Sequence, residues 1–197
     1  MRPARGFTLP EVLTGLVLMA LLLLAVWQLL SGSLHSYRLT TDMNERVHLE
    51  TVARNVVIQE LSFAGYGLGF IGSFDGPTIE IGLEANEDRS DTFRVHYLEE
   101  RWLETPVQRQ VTIDVARDSA GSYNLYRREE GASRQPAVQE VTNLKLAAVV
   151  TVDGDLLGRD DDWPTEIAAF IVNISFSWDT SRMAYINFSA PQRLERL

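Results

Sequence analysis

MRPARGFTLPEVLTGLVLMALLLLAVWQLL, residues 1–30, decides how the rest of the chain is read. Arg2 and Arg5 precede Gly6, and the nineteen residues from Val12 to Leu30 are apolar except for Thr14, Gly15 and Gln28. At about 1.5 Å rise per residue, a helix of that length reaches about 28 Å, enough to cross a bilayer. Glu11 stands at the entrance to this run. A carboxylate at mid-membrane costs roughly 2.5–3.5 kcal/mol on insertion scales, so an acid in this place signals function and calls for a partner. The basic flank holds the N-terminus in the cytoplasm, which sends the bulk of the chain across the membrane. A cleaved secretory signal fits less well, because its apolar core is typically about 7–15 residues. A plain single-pass anchor has no use for Gly-Phe-Thr-Leu-x-Glu.

The string GFTLPEVL, residues 6–13, resembles the class III signal of type IV pilins and of the pseudopilins of type II secretion. The resemblance implies that a prepilin peptidase cuts between Gly6 and Phe7 and that Phe7 becomes the N-methylated first residue. It also implies that Glu11 pairs with the terminal amine of a neighbouring subunit as helices pack into a filament. The physics agrees: a carboxylate in lipid is offset by an opposite charge delivered on another helix, which favours insertion in one register. Pro10 falls within the first turn, where backbone N–H groups lack a helical acceptor in any case.

Beyond the apolar run the helical pattern continues. Leu39, Met43 and Val47 make one stripe, and Leu49, Val52, Val56 with Ala53, Val57, Leu61 another; Asp42, Glu45, Arg46, Glu50, Arg54 and Glu60 fall between them. The spacing predicts one helix over 7–63, membrane-spanning at about 11–30, with a soft point at Gly32. Residues 64–197 read as one domain of antiparallel strands: 78–83, 92–99, 107–115, 123–127, 138–152, 167–178 and 183–189. EANEDRSD, RDSAGS, REEGASRQP and DGDLLGRDDDWP separate them. The fold class expected is α+β, the type IV pilin fold, with a half-transmembrane, half-amphipathic helix packed on an antiparallel sheet. LSFAGYG, DTFRVHYLEE, LYRREEG, WPTEIAAFIVNISF and the closing SAPQRL are similar in order to PilW-type minor pilins, and next to J-type pseudopilins.

Chemistry is sparse. The chain has no cysteine, which removes disulfides and thiolate metal sites. Its formal charge is −9, and losing residues 1–6 leaves 16 basic against 27 acidic side chains, a surface that disfavours direct nucleic acid binding. His35 and His48 lie thirteen residues apart on the helix, no pair for a metal, and His96 alternates outward on a strand. No nucleophile elbow, HExxH or Walker A occurs, so no catalytic residues are assigned and no enzyme is expected. Gly67 to Gly72 match GxGxxG by spacing, but they follow a helix and lead into a strand, the reverse of a dinucleotide loop. Asp153, Asp155, Asp160, Asp161 and Asp162 are the sole candidate metal ligands, suited to calcium; Leu157 and Pro164 stand where an EF-hand needs ligands, and a solvated loop is the simpler reading. Trp102, Trp163 and Trp178 suit core or cross-strand pairing better than a sugar-binding face.

By resemblance, then, the expectation is a minor pilin without a cofactor, first held in the bacterial inner membrane with its domain periplasmic, then carried into a pilus. Its partners would be other minor pilins, the major pilin, prepilin peptidase and the inner-membrane assembly platform. It would help prime or cap pilus assembly in support of twitching, adhesion or DNA uptake. A J-type minor pseudopilin of a type II secretion pseudopilus is the alternative.

Overall fold

The computed structural model describes residues 8–68, 76–86, 89–99 and 106–197. Two compact units emerge, Met1–Val47 and His48–Leu197. Helix α1 (Leu9–Ser62) begins in the first and ends in the second. It is α-helical through Gly32, where the sequence suggested a soft point.

In the first unit the helix presents its apolar side chains outward. From Val12 to Leu30 every residue is exposed, and Leu34, Tyr37, Leu39, Met43 and Val47 continue the pattern. Among the described residues α1 is the one helix long and apolar enough to cross a membrane, with a mean hydropathy of 2.4 over its most apolar window. The polar side chains satisfy themselves locally: Ser31, Thr40 and Thr41 donate hydroxyl bonds to carbonyls three or four residues back.

In the second unit the helix end is part of the core. Ala53, Val57 and Leu61 are fully buried, with Leu49, Val52 and Val56 half-buried beside them, as the second stripe predicts. Burying Val57 and Leu61 contributes about 1.5–3 kcal/mol each. Glu50 breaks the pattern, because the sequence reading places it on the polar side and it is buried in line with Ala53 and Val57.

Among the described residues nine strands follow: β1 (Ile79–Gly82), β2 (Thr92–Glu99), β3 (Val107–Arg117), β4 (Tyr123–Glu129), β5 (Gln135–Gln139), β6 (Val141–Thr151), β7 (Leu156–Gly158), β8 (Glu166–Phe176) and β9 (Ser181–Arg196). Their order is β5-β4-β3-β2-β1-β9-β8-β6-β7, antiparallel throughout except at the centre, where β1 and β9 run parallel. That seam is three pairs long, Ile79 with Leu194, Glu80 with Glu195 and Ile81 with Arg196. The sheet folds over so that β3 and β4 approach β6. Inside, Phe93 of one half stacks on Phe170 of the other, centroids 6.0 Å apart, and Phe170 meets Phe188 at 5.4 Å.

Three features of the sheet differ from the sequence reading. β5 and β6 were expected as one strand over 138–152, but Glu140 takes a left-handed conformation (φ 63°) that separates them, and β5 reaches back through Pro136. Pro136 is tolerated because β5 is an edge strand with an irregular register. β7 lies within DGDLLGRDDDWP, which the sequence reads as a loop. β9 was expected to stop at 189, yet it continues past Pro191 because the ladder to β8 is irregular between the Asn187 and Gln192 pairs, where a bulge accommodates the proline.

The two half-sheets are also tied through a polar centre. Asp91, read as part of a charged turn, is fully buried. Its Oδ1 accepts from the Glu84 N–H (3.0 Å) and Arg159 Nη2 (2.7 Å), and its Oδ2 from the Leu146 N–H (2.8 Å) and Arg159 Nη1 (2.5 Å). Its own N–H donates to the Leu144 carbonyl at 2.8 Å. The start of β2 is thereby fixed to β6.

Candidate functional site

The N-terminal candidates begin where α1 begins. Gly6 and Phe7 lie outside the described residues, and so does Trp102. Thr8 precedes the first helical residue, and Glu11 lies three positions on, the spacing of a capping box. Glu11 Oε2 accepts from the Thr8 N–H at 2.8 Å and from the Thr8 hydroxyl at 2.9 Å. The carboxylate closes over its own helix end, satisfying an amide that the helix leaves open. Its second oxygen, Oε1, takes no part in this cap. Pro10 sits in the same turn without disturbing it, since the first intrahelical bond runs from Val12 N to Thr8 O at 3.2 Å. Thr14 donates its hydroxyl to the Pro10 and Glu11 carbonyls, both at 3.0 Å. The result is one acid and two threonines beside a wholly apolar, exposed helix face.

The acidic stretch is divided by β7. Asp153 and Gly154 form the β6–β7 turn, closed by Thr151 N to Asp155 O at 2.9 Å, with Gly154 at φ 92°. On the far side, Asp161 Oδ2 accepts from the Gly158 N–H at 2.6 Å. Asp160 and Asp162 lie in the same turn. Among the described residues no three His, Cys, Asp or Glu side chains converge as a metal site. Trp163 donates its indole N–H to the Gly158 carbonyl and lies under Arg196, while Trp178 stacks on Phe176 at 5.1 Å; both are structural contacts.

His35 and His48 are exposed on the helix. His96 does lie on the face opposite Phe93 and Val95, as the alternation predicts, yet it is buried, its Nε2 2.9 Å from Glu80 Oε1. Of the GxGxxG match only Gly67 and Leu68 are described. Gly65 and Gly67 adopt φ +72° and +70°, and a Cβ on Gly67 would stand 2.8 Å from that of Leu98. These glycines serve a tight turn after the helix.

Glu50 is a polar centre that the sequence reading missed. Its carboxylate accepts from Trp178 Nε1 (3.0 Å), Thr180 Oγ1 (3.0 Å) and Arg182 Nε (2.7 Å), which fixes the β8–β9 turn to the helix. Burial pushes this carboxyl up, but the three hydrogen bonds and the Arg182 charge outweigh it and hold the group below its ordinary value. The folded state therefore binds this proton less readily than the unfolded chain. The stability Glu50 supplies is complete above the ordinary glutamate range and is lost as pH falls through its lowered value. Glu50→Gln is expected to lower stability at neutral pH by about 1–3 kcal/mol and to flatten the acid limb of the stability curve. Denaturation series across pH on both proteins check this, and parallel acid limbs would refute it.

Residues 1–27 match the prokaryotic N-terminal methylation motif. No curated protein and no solved structure shows detectable similarity to the chain. The motif implies prepilin peptidase processing, membrane anchoring and assembly with other pilins. Residues 1–27 thus carry the N-terminal signal of type IV pilin-like proteins, and the exposed apolar helix that continues it and the antiparallel-rich sheet that follows are consistent with a type IV pilin-like fold.

Proposed function

We propose that the chain is a minor pilin, a structural subunit rather than an enzyme, which waits in the inner membrane with its β unit periplasmic and joins a type IV pilus after processing. The observation that carries this reading is Glu11, a single carboxylate at the edge of a bare apolar helix, with one oxygen held by Thr8 and the other open. Cleavage between Gly6 and Phe7 leaves the Thr8 amide in place, so the cap persists in the mature subunit. Oε1 is then the acceptor for the N-methylated amine of the neighbouring subunit's Phe7. The other minor pilins and the major pilin are the partners, with prepilin peptidase and the assembly platform handling the chain beforehand. A subunit at the very tip has no amine ahead of it to satisfy such an acid, so in this reading the chain sits below the tip-most position.

By the resemblance of its segment order to PilW-type minor pilins, the chain helps prime or cap pilus assembly in this reading, and so takes part in twitching, adhesion or DNA uptake. The test is Glu11→Ala in cells in which cleavage at Gly6–Phe7 is shown to be intact. The expected result is loss of piliation and twitching with normal protein secretion. Lost secretion with normal piliation would assign the chain to a J-type pseudopilus, and no change in either would reduce it to an anchored module.

A further inference from the structure

The turn after α1 builds a cleft that the assembly role does not use. Gly65 and Gly67, both left-handed, bring the chain back along β2, where the Gly65 N–H donates to the His96 carbonyl and the Leu98 N–H to the Tyr66 carbonyl, each at 2.8 Å. This docking projects Phe63 and Tyr66 beside Tyr97. The Phe63 ring stands 6.3 Å from Tyr66, nearly edge-on, and 5.8 Å from Tyr97. Phe63 and Tyr66 are 40% and 55% exposed, unusual for rings fixed so firmly at the base of a turn.

The opposite wall is polar and equally fixed. Glu60 Oε1 accepts from Arg127 Nε at 2.7 Å, Arg127 Nη1 donates to Glu129 at 2.6 Å, and Arg109 Nε donates to Glu99 at 2.6 Å. Four elements, α1, β2, β3 and β4, contribute to this row. The cleft it shares with the rings has a volume of about 390 Å³, within the range of small-molecule sites.

The chemistry narrows the occupant. An anion would meet the Glu60 and Glu99 carboxylates against one lining guanidinium, Arg127. A basic side chain would find each of those carboxylates already bridged by arginine. A wholly apolar occupant would strip water from the ion-pair row without replacing its hydrogen bonds. A neutral polyol ring meets none of these penalties: its C–H face covers an aromatic ring, and its hydroxyls donate to carboxylate lone pairs and accept from guanidinium N–H groups. Burial pushes the Tyr97 phenol up, so it stays neutral and adds a further hydroxyl.

We propose that the cleft between Phe63, Tyr66 and Tyr97 and the Glu60–Arg127 pair is a saccharide-binding site, taking one pyranose unit of a neutral oligosaccharide. The fixed turn orders the rings before binding, which lowers the entropic cost of recognition.

The test uses the full chain in a detergent without a sugar headgroup, titrated with chitotetraose, maltotetraose and mannotetraose and followed by saturation-transfer NMR. At least one probe is expected to bind with a Kd of about 1 mM or tighter. Tyr66→Ala, at an exposed ring whose loss leaves the core intact, is expected to weaken binding about tenfold or more, the equivalent of one stacked contact. Tyr185→Ala, at an exposed tyrosine of β9, serves as the control and should bind as the parent does. Binding by none of the three probes overturns the proposal, as does binding that Tyr66→Ala and Phe63→Ala both leave unchanged. Glu11→Ala should bind saccharide normally, so failure of the assembly reading and failure of this site are distinguishable.

Discussion

Asp91→Ala is expected to lower the stability of the β unit by about 3–5 kcal/mol, the range for removing one partner from a buried, hydrogen-bonded charge pair. The wild-type carboxylate is fully buried and accepts four hydrogen bonds, two from backbone amides and two from Arg159, with Lys145 Nζ a further 3.7 Å away. Alanine would leave the Glu84 and Leu146 amides without their acceptor and a guanidinium facing a void. Typical domains are stable by about 5–15 kcal/mol, so a loss of this size removes about a fifth or more of the margin. Chemical denaturation of both chains measures it, and a midpoint unchanged by the substitution would show that the start of β2 is held to β6 by other means. Arg159→Lys should cost less, because an ammonium can keep the charge while losing the two-point grip.

Deleting residues 194–197 is expected to open the seam between the half-sheets. It removes the β1–β9 ladder, the bond from Leu194 N to the Thr165 carbonyl (2.9 Å), the bond from Leu197 N to the Ile81 carbonyl (3.0 Å) and the Arg196 guanidinium over Trp163. At about 1 kcal/mol net per hydrogen bond, the loss approaches that of Asp91→Ala. It should also be local. Hydrogen exchange of the β1 amides should accelerate far more than that of β8, and a protease should gain access near Thr78. Uniform acceleration across the sheet would show that the seam has no independence.

The long helix and the alternation of β2, β3 and β8 were legible because their signals are local and repeated. Ala53, Val57 and Leu61 announce a buried stripe by spacing alone, as Phe93 and Val95 announce a buried face. What the chain hides are single residues whose meaning depends on distant partners. Glu50 reads as one more charge on a helix until Trp178, Thr180 and Arg182 arrive from the far side of the sequence. Asp91 reads as the end of an acidic turn until β6 and Arg159 close around it. Both prolines of the missed strand segments follow ordinary rules, and edge position and a bulge then exempt them. The cap of Thr8 by Glu11 is local as well, three positions apart in the spacing of a capping box.

The parallel seam also dictates when folding can finish. Strand β1 is among the first parts of the sheet to be made, yet one of its two neighbours is residues 194–196, near the far end of the chain; Thr78 and Arg193, which bond beside the seam, are 115 positions apart. Closing so distant a contact is slow compared with forming the local hairpins β2–β3 and β3–β4. Those hairpins can form while the remainder is still being synthesised, but the seam cannot. In a chain synthesised from its N-terminus, β1 must wait with one edge unpaired until β9 is made, and any chain that stops short of β9 carries that open edge permanently.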